Sequence, residues 1–225
     1  MDTIIQMSEP VIQYAFFWFL PLLFVGGLIG GALLSSDTTK LEGNSIAVLG
    51  MKGSGKTTFL HNISDGKIAT GEGTSRNKYD SFYVKFGDKT MKIKPGDDIP
   101  GGDDFVRSYE EMILKSDICF FVFNAYLYLN NEKYRKETNM RMFHIYDKIQ
   151  KKNPDVMNKK YAIIATHLDK LPDEGKNALD DIRKIIKNDK LMRIKLLDET
   201  LINNNFIAID ARKPDACKKI IEQLF

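Results

Sequence analysis

Two kinds of apolar pattern divide the chain. From Tyr14 to Leu34 there are 21 consecutive positions without a charge, dominated by Phe, Leu, Val, Ile and Gly. Beyond residue 44, short apolar runs alternate with stretches of helical period. Ser45–Leu49 predicts a short buried strand, and a helix follows from about Lys56. Ser81–Phe86 and Thr90–Ile93 alternate as half-buried strands do, with Gly87-Asp88-Lys89 as the hairpin turn. Phe105, Tyr109, Met112 and Ile113 share one helix face. Ile118–Phe123 is an unbroken apolar run, the pattern of a strand covered on both sides in a parallel sheet. Met142, Ile145, Tyr146 and Ile149 mark the next helix, and strand Tyr161–Ala165 follows. A helix carrying Leu179, Ile182 and Ile186, strand Phe206–Ile209, and a helix carrying Cys217, Ile220, Ile221 and Leu224 complete the series. The order β-α-β-β-α-β-α-β-α-β-α predicts an α/β fold: a doubly wound, mostly parallel sheet with one antiparallel hairpin.

The segment 14–34 is long enough, as a helix of roughly 30 Å, to cross a bilayer. Tyr14 and Trp18 stand near its start, where amphipathic rings favour the membrane–water interface, and Pro21 is better tolerated in lipid than in a soluble helix. A cleaved signal peptide would want a basic start, a shorter apolar stretch and a small-residue cleavage site. The start here is acidic, so an anchor is the expectation. The basic residues Lys40, Lys52 and Lys56 all lie downstream, which places residues 1–13 outside and the C-terminal part in the cytoplasm. Gly26/Gly30 and Gly27/Gly31 form two small-xxx-small pairs of the kind that can pack two such helices into a dimer, while glycine is also common in membrane helices that do not pair. Residues 35–44 are polar and aperiodic and predict a short linker, leaving 45–225 as one domain.

Composition adds limits rather than direction. With 43% hydrophobic and 28% charged residues the chain is that of a globular protein, and 225 residues accommodate one ordinary core plus an appendage. Residues 1–34 contain Asp2 and Glu9 and no Lys or Arg, so the rest carries 33 basic and 28 acidic groups, a net +5. An excess this small reads as a solvated surface rather than a nucleic-acid-binding one, and it suits a domain held near an anionic leaflet. Cys119 and Cys217 stand in apolar settings and predict buried thiols, and His61, His144 and His167 have no metal-ligand spacing with them.

The chemistry begins directly after the first strand. Gly50-Met51-Lys52-Gly53-Ser54-Gly55-Lys56-Thr57 matches G-x-x-x-x-G-K-[ST] at every fixed position. Glycines let the backbone curl so that N–H groups surround phosphate oxygens, and the following helix directs its positive end at the same charge. Lys56 would reach the β- and γ-phosphates, Thr57 would place a hydroxyl on Mg²⁺, and Thr58 continues the helix beside them. The motif predicts a bound nucleotide without naming the base.

Three later segments stand in order at predicted strand ends: Asp98-Ile99-Pro100-Gly101, Thr166-His167-Leu168-Asp169, and Asp210-Ala211-Arg212. With the loop at Gly50–Thr57 they make residues 45–225 resemble the small GTPases of the Ras and Arf superfamily, which have the P-loop NTPase fold. The first is similar to that family's D-x-x-G, implying Mg²⁺ held through Asp98 and a γ-phosphate sensed by the Gly101 N–H. The second is similar to [NT]-K-x-D, implying that Asp169 accepts hydrogen bonds from guanine N1–H and its 2-amino group, with Thr166 and His167 beside it. The third is similar to S-A-K, implying that the Ala211 N–H meets guanine O6 and that Arg212 stands for the lysine. The resemblance also implies a switch threonine on Mg²⁺ before the second strand; Thr74 is the better candidate and Thr70 the alternative. A span followed by such a domain is the layout of signal recognition particle receptor β subunits.

Departures from the family pattern qualify these expectations. Gly102 stands where Ras-like proteins carry the glutamine that orients water, which implies slow or partner-dependent hydrolysis. Lys52 replaces a small residue and His167 replaces a lysine. The stretch Ile93-Lys94-Pro95-Gly96-Asp97 is polar where the family is apolar, so Asp97 is an alternative to Asp98 as the Mg²⁺ carboxylate. The expected function is a membrane-anchored GTP/GDP switch, with Lys56, Thr74 and Gly101 serving hydrolysis and an unidentified effector or activating protein as partner. A P-loop ATPase or small-molecule kinase, or a nucleotide-holding membrane module without turnover, are the alternatives.

Overall fold

The computed structural model describes residues 40–69, 76–102, 106–152, 160–188 and 206–224. The predicted membrane span 14–34, Thr70 and Thr74 all lie outside these residues, as does Phe105. Among the described residues no helix is long and apolar enough to cross a membrane.

In chain order the elements are β1 (Lys40–Asn44), β2 (Ile46–Gly50), α1 (Lys56–Ile63), β3 (Asn77–Tyr79), β4 (Phe82–Phe86), β5 (Lys89–Ile93), β6 (Gly96–Asp98) and α2 (Val106–Lys115). Then follow β7 (Ile118–Asn124), α3 (Ala125–Asn130), α4 (Glu132–Lys152), β8 (Lys160–Thr166), α5 (Ala178–Asn188), β9 (Phe206–Ala208) and α6 (Pro214–Leu224). Two 3-10 turns, Leu168–Lys170 and Pro172–Gly175, lie between β8 and α5. The architecture is α/β. Strands β2, β7, β8 and β9 stand side by side in that order, all parallel. Strand β1 pairs parallel with β5, which pairs antiparallel with β4, and β3 pairs antiparallel with β6.

The continuous apolar runs have a direct cause. Every residue of β2 and β7 is buried, because opposite faces of the strands feed two separate cores. Ile46, Val48, Phe120, Val122, Ala162 and Ile164 pack with Phe59, Leu60 and Ile63 of α1 and with Cys217, Ile220 and Ile221 of α6. The intervening Ala47, Leu49, Phe121, Phe123, Ile163 and Ala165 pack with Tyr109 and Ile113 of α2, Tyr128 of α3, Met142 and Ile145 of α4, and Ile182 and Ile186 of α5. Helices on both faces leave the inner positions of these strands apolar, with polar residues only towards their ends. Both cysteines are buried, as their apolar settings predict.

The hairpin β4–β5 turns through Gly87 and Asp88, with Phe86 and Lys89 paired across it. Gly87 takes φ 52° at the first turn position, where glycine avoids the Cβ clash. Three features depart from the sequence expectations. Lys40–Asn44, expected in the polar linker, forms β1. Only Ser45 separates it from β2, and hydrogen bonding passes from β5 to β7 across that break. The polar residues before Asp98 form β6 together with it, and among the described residues β6 pairs with the equally short β3 alone. Helix α3 follows β7 directly, with Asn124 as the one polar residue at the junction, and Asn124 caps it by accepting a hydrogen bond from the Leu127 N–H at 3.0 Å.

Candidate functional site

The loop from β2 into α1 is shaped by three glycines. Gly50, Gly53 and Gly55 have φ of 142°, 66° and 84°, all in the region that favours glycine. Gly50 also has no room for a side chain, since a Cβ there would lie 1.9 Å from the Val122 carbonyl oxygen. Tyr109 donates its hydroxyl to the Gly50 carbonyl at 2.8 Å, and the Met51 N–H donates to the Val122 carbonyl at 3.1 Å. The start of the loop is thereby tied to α2 and β7.

Helix α1 begins after Gly55 with no side-chain cap and no acidic residue in its first turn. Its first N–H groups and the positive end of its dipole therefore suit an anion. Lys56 is 6% exposed, and its ammonium donates to the Met51 carbonyl at 2.8 Å. Burial lowers its pKa to about 8, with Asp98 opposing the shift and Arg141 adding to it. Such a cation, stripped of water, gains strongly from an approaching phosphate. Ser54 Oγ is buried in the same loop and has no hydrogen-bond partner. Lys52 is exposed, and Thr58 is half-buried in the first turn of α1.

The two adjacent aspartates have opposite surroundings. Asp98, at the end of β6, is 6% exposed and accepts a hydrogen bond from the Thr57 hydroxyl at 2.6 Å. Burial raises its pKa, opposed by the Thr57 hydrogen bond and the Lys56 charge. Asp97 pairs with Arg76 at 2.6 Å, and that hydrogen bond lowers its pKa. Alternation along β6 sends neighbouring side chains to opposite sides, so only Asp98 is brought to Thr57. Among the described residues no group of three or more His, Cys, Asp or Glu would hold a metal ion. A cation at Thr57 and Asp98 would need oxygens from a bound ligand to complete its coordination.

Gly101 closes this corner. A Cβ on it would lie 2.3 Å from the Met51 carbonyl carbon and 2.4 Å from the Lys52 nitrogen, so the Asp98–Gly101 segment lies directly against the glycine-rich loop. The Gly101 carbonyl accepts a hydrogen bond from Arg141 Nη1 of α4 at 2.7 Å.

The other two segments meet the loop at Gly55. A Cβ on Gly55 would lie 3.8 Å from His167 Cε1 and 3.9 Å from both Ala211 Cβ and Thr166 Oγ1. Thr166 is fully buried, and its Oγ1 lies 2.7 Å from the Ser54 carbonyl, 3.0 Å from that of Phe123 and 2.9 Å from His167 Nδ1. His167 takes a left-handed conformation, φ 59°, and burial lowers its pKa. Asn62 of α1 donates to the Ala211 carbonyl at 2.6 Å, fixing the turn after β9 to the helix that follows the loop. Asp169, in the 3-10 turn after His167, faces Arg212 at 3.3 Å, while Arg212 is also paired with Asp210 at 2.9 Å. All of these groups gather at the carboxyl ends of parallel strands, where α/β sheets bind ligands.

The structure thus assembles Lys56, Thr57, Asp98 and Gly101 on one side of the loop and Thr166, His167 and Ala211 on the other, with Arg212 linking Asp169 to Asp210. Sequence reasoning missed Asn62 and Arg141, and saw Tyr109 only as core. All three act through contacts to backbone carbonyls of distant segments, which leave no spacing in the chain. No protein-family model matches this sequence, and no curated protein matches it.

Proposed function

We propose that this chain is a membrane-anchored, guanine-nucleotide-binding switch of P-loop, doubly wound architecture, with slow hydrolysis of GTP to GDP. One observation carries the reading: three sequence segments far apart in the chain, Asp98–Gly101, Thr166–Asp169 and Asp210–Arg212, converge on the Gly50–Thr57 loop. Lys56 and the amino end of α1 would hold the phosphates. Thr57 and Asp98 would hold Mg²⁺, whose chemistry is to neutralise charge on the phosphate oxygens. Thr166 supports the loop through the Ser54 carbonyl, and Asp169 would select guanine by accepting hydrogen bonds that adenine has no donors to make. The uncharged stretch Tyr14–Leu34 supplies the proposed anchor, with the domain on the cytoplasmic side.

The test measures nucleotide affinity of the full chain in detergent. Wild type should prefer GTP to ATP by at least about tenfold. Asp169→Asn should shift preference towards xanthosine triphosphate, because its amide offers a donor to the 2-oxo group. Equal affinity for GTP and ATP, untouched by the substitution, would sink the guanine reading. Gly102 favours a second reading, in which the nucleotide is held and never turned over. Single-turnover hydrolysis with and without cell lysate separates the two: phosphate release in either condition excludes the non-hydrolysing module.

A further inference from the structure

Arg141 stands on the long helix α4, beside two buried residues of that helix, Met142 and Ile145, which fix it to the core behind the sheet. From there its guanidinium reaches the Gly101 carbonyl at 2.7 Å and is half-buried in doing so. The carbonyl it holds belongs to the peptide between Gly101 and Gly102. Two consecutive glycines form the segment with the greatest backbone freedom, and an unheld pair would sample many arrangements. Yet Gly101 is buried against the Met51–Lys52 backbone with no room for a Cβ. The hydrogen bond restrains the peptide plane that carries the Gly101 carbonyl and the Gly102 N–H, directly after the Gly101 N–H. Arg141 also acts electrostatically at this corner, since its charge is among those felt by Lys56.

We infer that Arg141 is a positioning residue: it holds the Gly101–Gly102 peptide closed against the glycine-rich loop, so that the arrangement that receives a terminal phosphate is already formed. The inference rests on the guanine-nucleotide reading above and goes beyond it, because it assigns the discrimination between triphosphate and diphosphate to a helix outside the four motif segments. An arginine suits the task. Its planar fork loses little freedom per hydrogen bond formed, and its charge stays on at every pH the protein meets. Where residue 102 has no side chain to order the segment, an arginine from a rigid helix orders it from behind.

The consequence is a preference that depends on Arg141. A closed segment favours the ligand with the extra phosphate and leaves the diphosphate, which does not reach it, nearly unaffected. The experiment measures affinities of the full chain for a non-hydrolysable GTP analogue and for GDP, in wild type, Arg141→Met and Arg141→Lys. Methionine retains an apolar stem for packing, and lysine retains charge and one donor. Arg141→Met should lower affinity for the triphosphate analogue about tenfold while GDP affinity stays within about twofold. Arg141→Lys should fall between wild type and the methionine variant. Thermal unfolding of each variant accompanies the titrations. An unchanged triphosphate-to-diphosphate ratio in both variants overturns the inference alone. An equal loss for both ligands with lowered thermal stability also overturns it, since that marks a purely structural arginine. Wild type binding neither nucleotide overturns both this inference and the function on which it rests.

Discussion

The two sides of the candidate site are built by different physics. On the side proposed to hold phosphate, backbone sterics decide nearly everything: Gly50 abuts the Val122 carbonyl and Gly101 abuts Met51 and Lys52. Its two central charged groups are buried, with Lys56 and Asp98 each 6% exposed. On the side proposed to hold the base, the outer contacts are made by side chains in water. Arg212, 64% exposed at its side chain, bridges Asp210 and an Asp169 that is itself 25% exposed. Sterics tolerate no substitution and are insensitive to salt. Exposed ion pairs tolerate much and are screened. On the proposed reading, a loop that is to surround a phosphate with N–H groups needs the first kind of construction. A surface that is to read a flat base by one carboxylate can accept the second.

The largest effect expected from breaking this contrast is at Gly50. Gly50→Ala would force a Cβ to within 1.9 Å of backbone and would strain a φ of 142°. Neither neighbour is the far end of a flexible side chain, so β2 and β7 would have to part. Combined overpacking and backbone strain should cost about 3–5 kcal/mol, measured as a lowered denaturation midpoint. Gly53→Ala is the control within the same loop, because nothing lies within 4 Å of its Cβ and only the strained φ of 66° remains. Equal losses at the two glycines would show that close approach does not govern the phosphate side.

This contrast also explains what was legible in the chain. The glycine-rich loop is visible because its sterics demand glycines at fixed offsets, and the parallel strands are visible because cover on both faces demands unbroken apolar runs. Asp98 was separable from Asp97 only once β6 was seen to alternate, since the two residues have the same chemistry and adjacent numbers. Strand β1 was hidden because Lys40–Asn44 is polar in composition, and its place is set by pairing with β5 rather than by its own pattern. Arg141 was hidden for a related reason: a basic residue on a charged helix looks solvated until the tertiary fold brings a carbonyl to it.

Lys56 gives the intermediate effect, and its sign separates stability from binding. Its folded pKa is about 8 against an ordinary 10.5. Below pH 8 both folded and unfolded chains hold the proton, and the cost of the buried ammonium is fully present. Between the two values the unfolded chain holds more protons than the folded one, so stability of the ligand-free protein rises with pH. The full span corresponds to on the order of 3 kcal/mol. Urea unfolding at about pH 7 and about pH 10 should show the rise in wild type and lose it in Lys56→Met. Nucleotide affinity should run the other way. A phosphate raises the Lys56 pKa, so affinity is flat below pH 8 and falls by up to about tenfold per unit above it. A pH-independent difference between wild type and Lys56→Met would show that this lysine is not desolvated.

Arg212→Ala should have the smallest effect, and for that reason it sharpens the comparison most. The guanidinium serves two carboxylates, yet it is mostly in water, where such pairs contribute about 0.2–1 kcal/mol and salt removes much of that. Its loss frees the Asp169 carboxylate from a competitor while removing a charge from the neighbourhood of the base. These consequences oppose each other. Stability should therefore change by less than about 0.5 kcal/mol, and GTP affinity by less than about threefold, with the difference shrinking as ionic strength rises. The proposed guanine preference over adenine should persist, because the proposal assigns it to the Asp169 acceptor and not to Arg212. A tenfold loss of guanine preference, insensitive to salt, would mean that the base side is as rigidly constructed as the phosphate side. Arg212 would then belong to the base-reading surface itself rather than to its solvated rim.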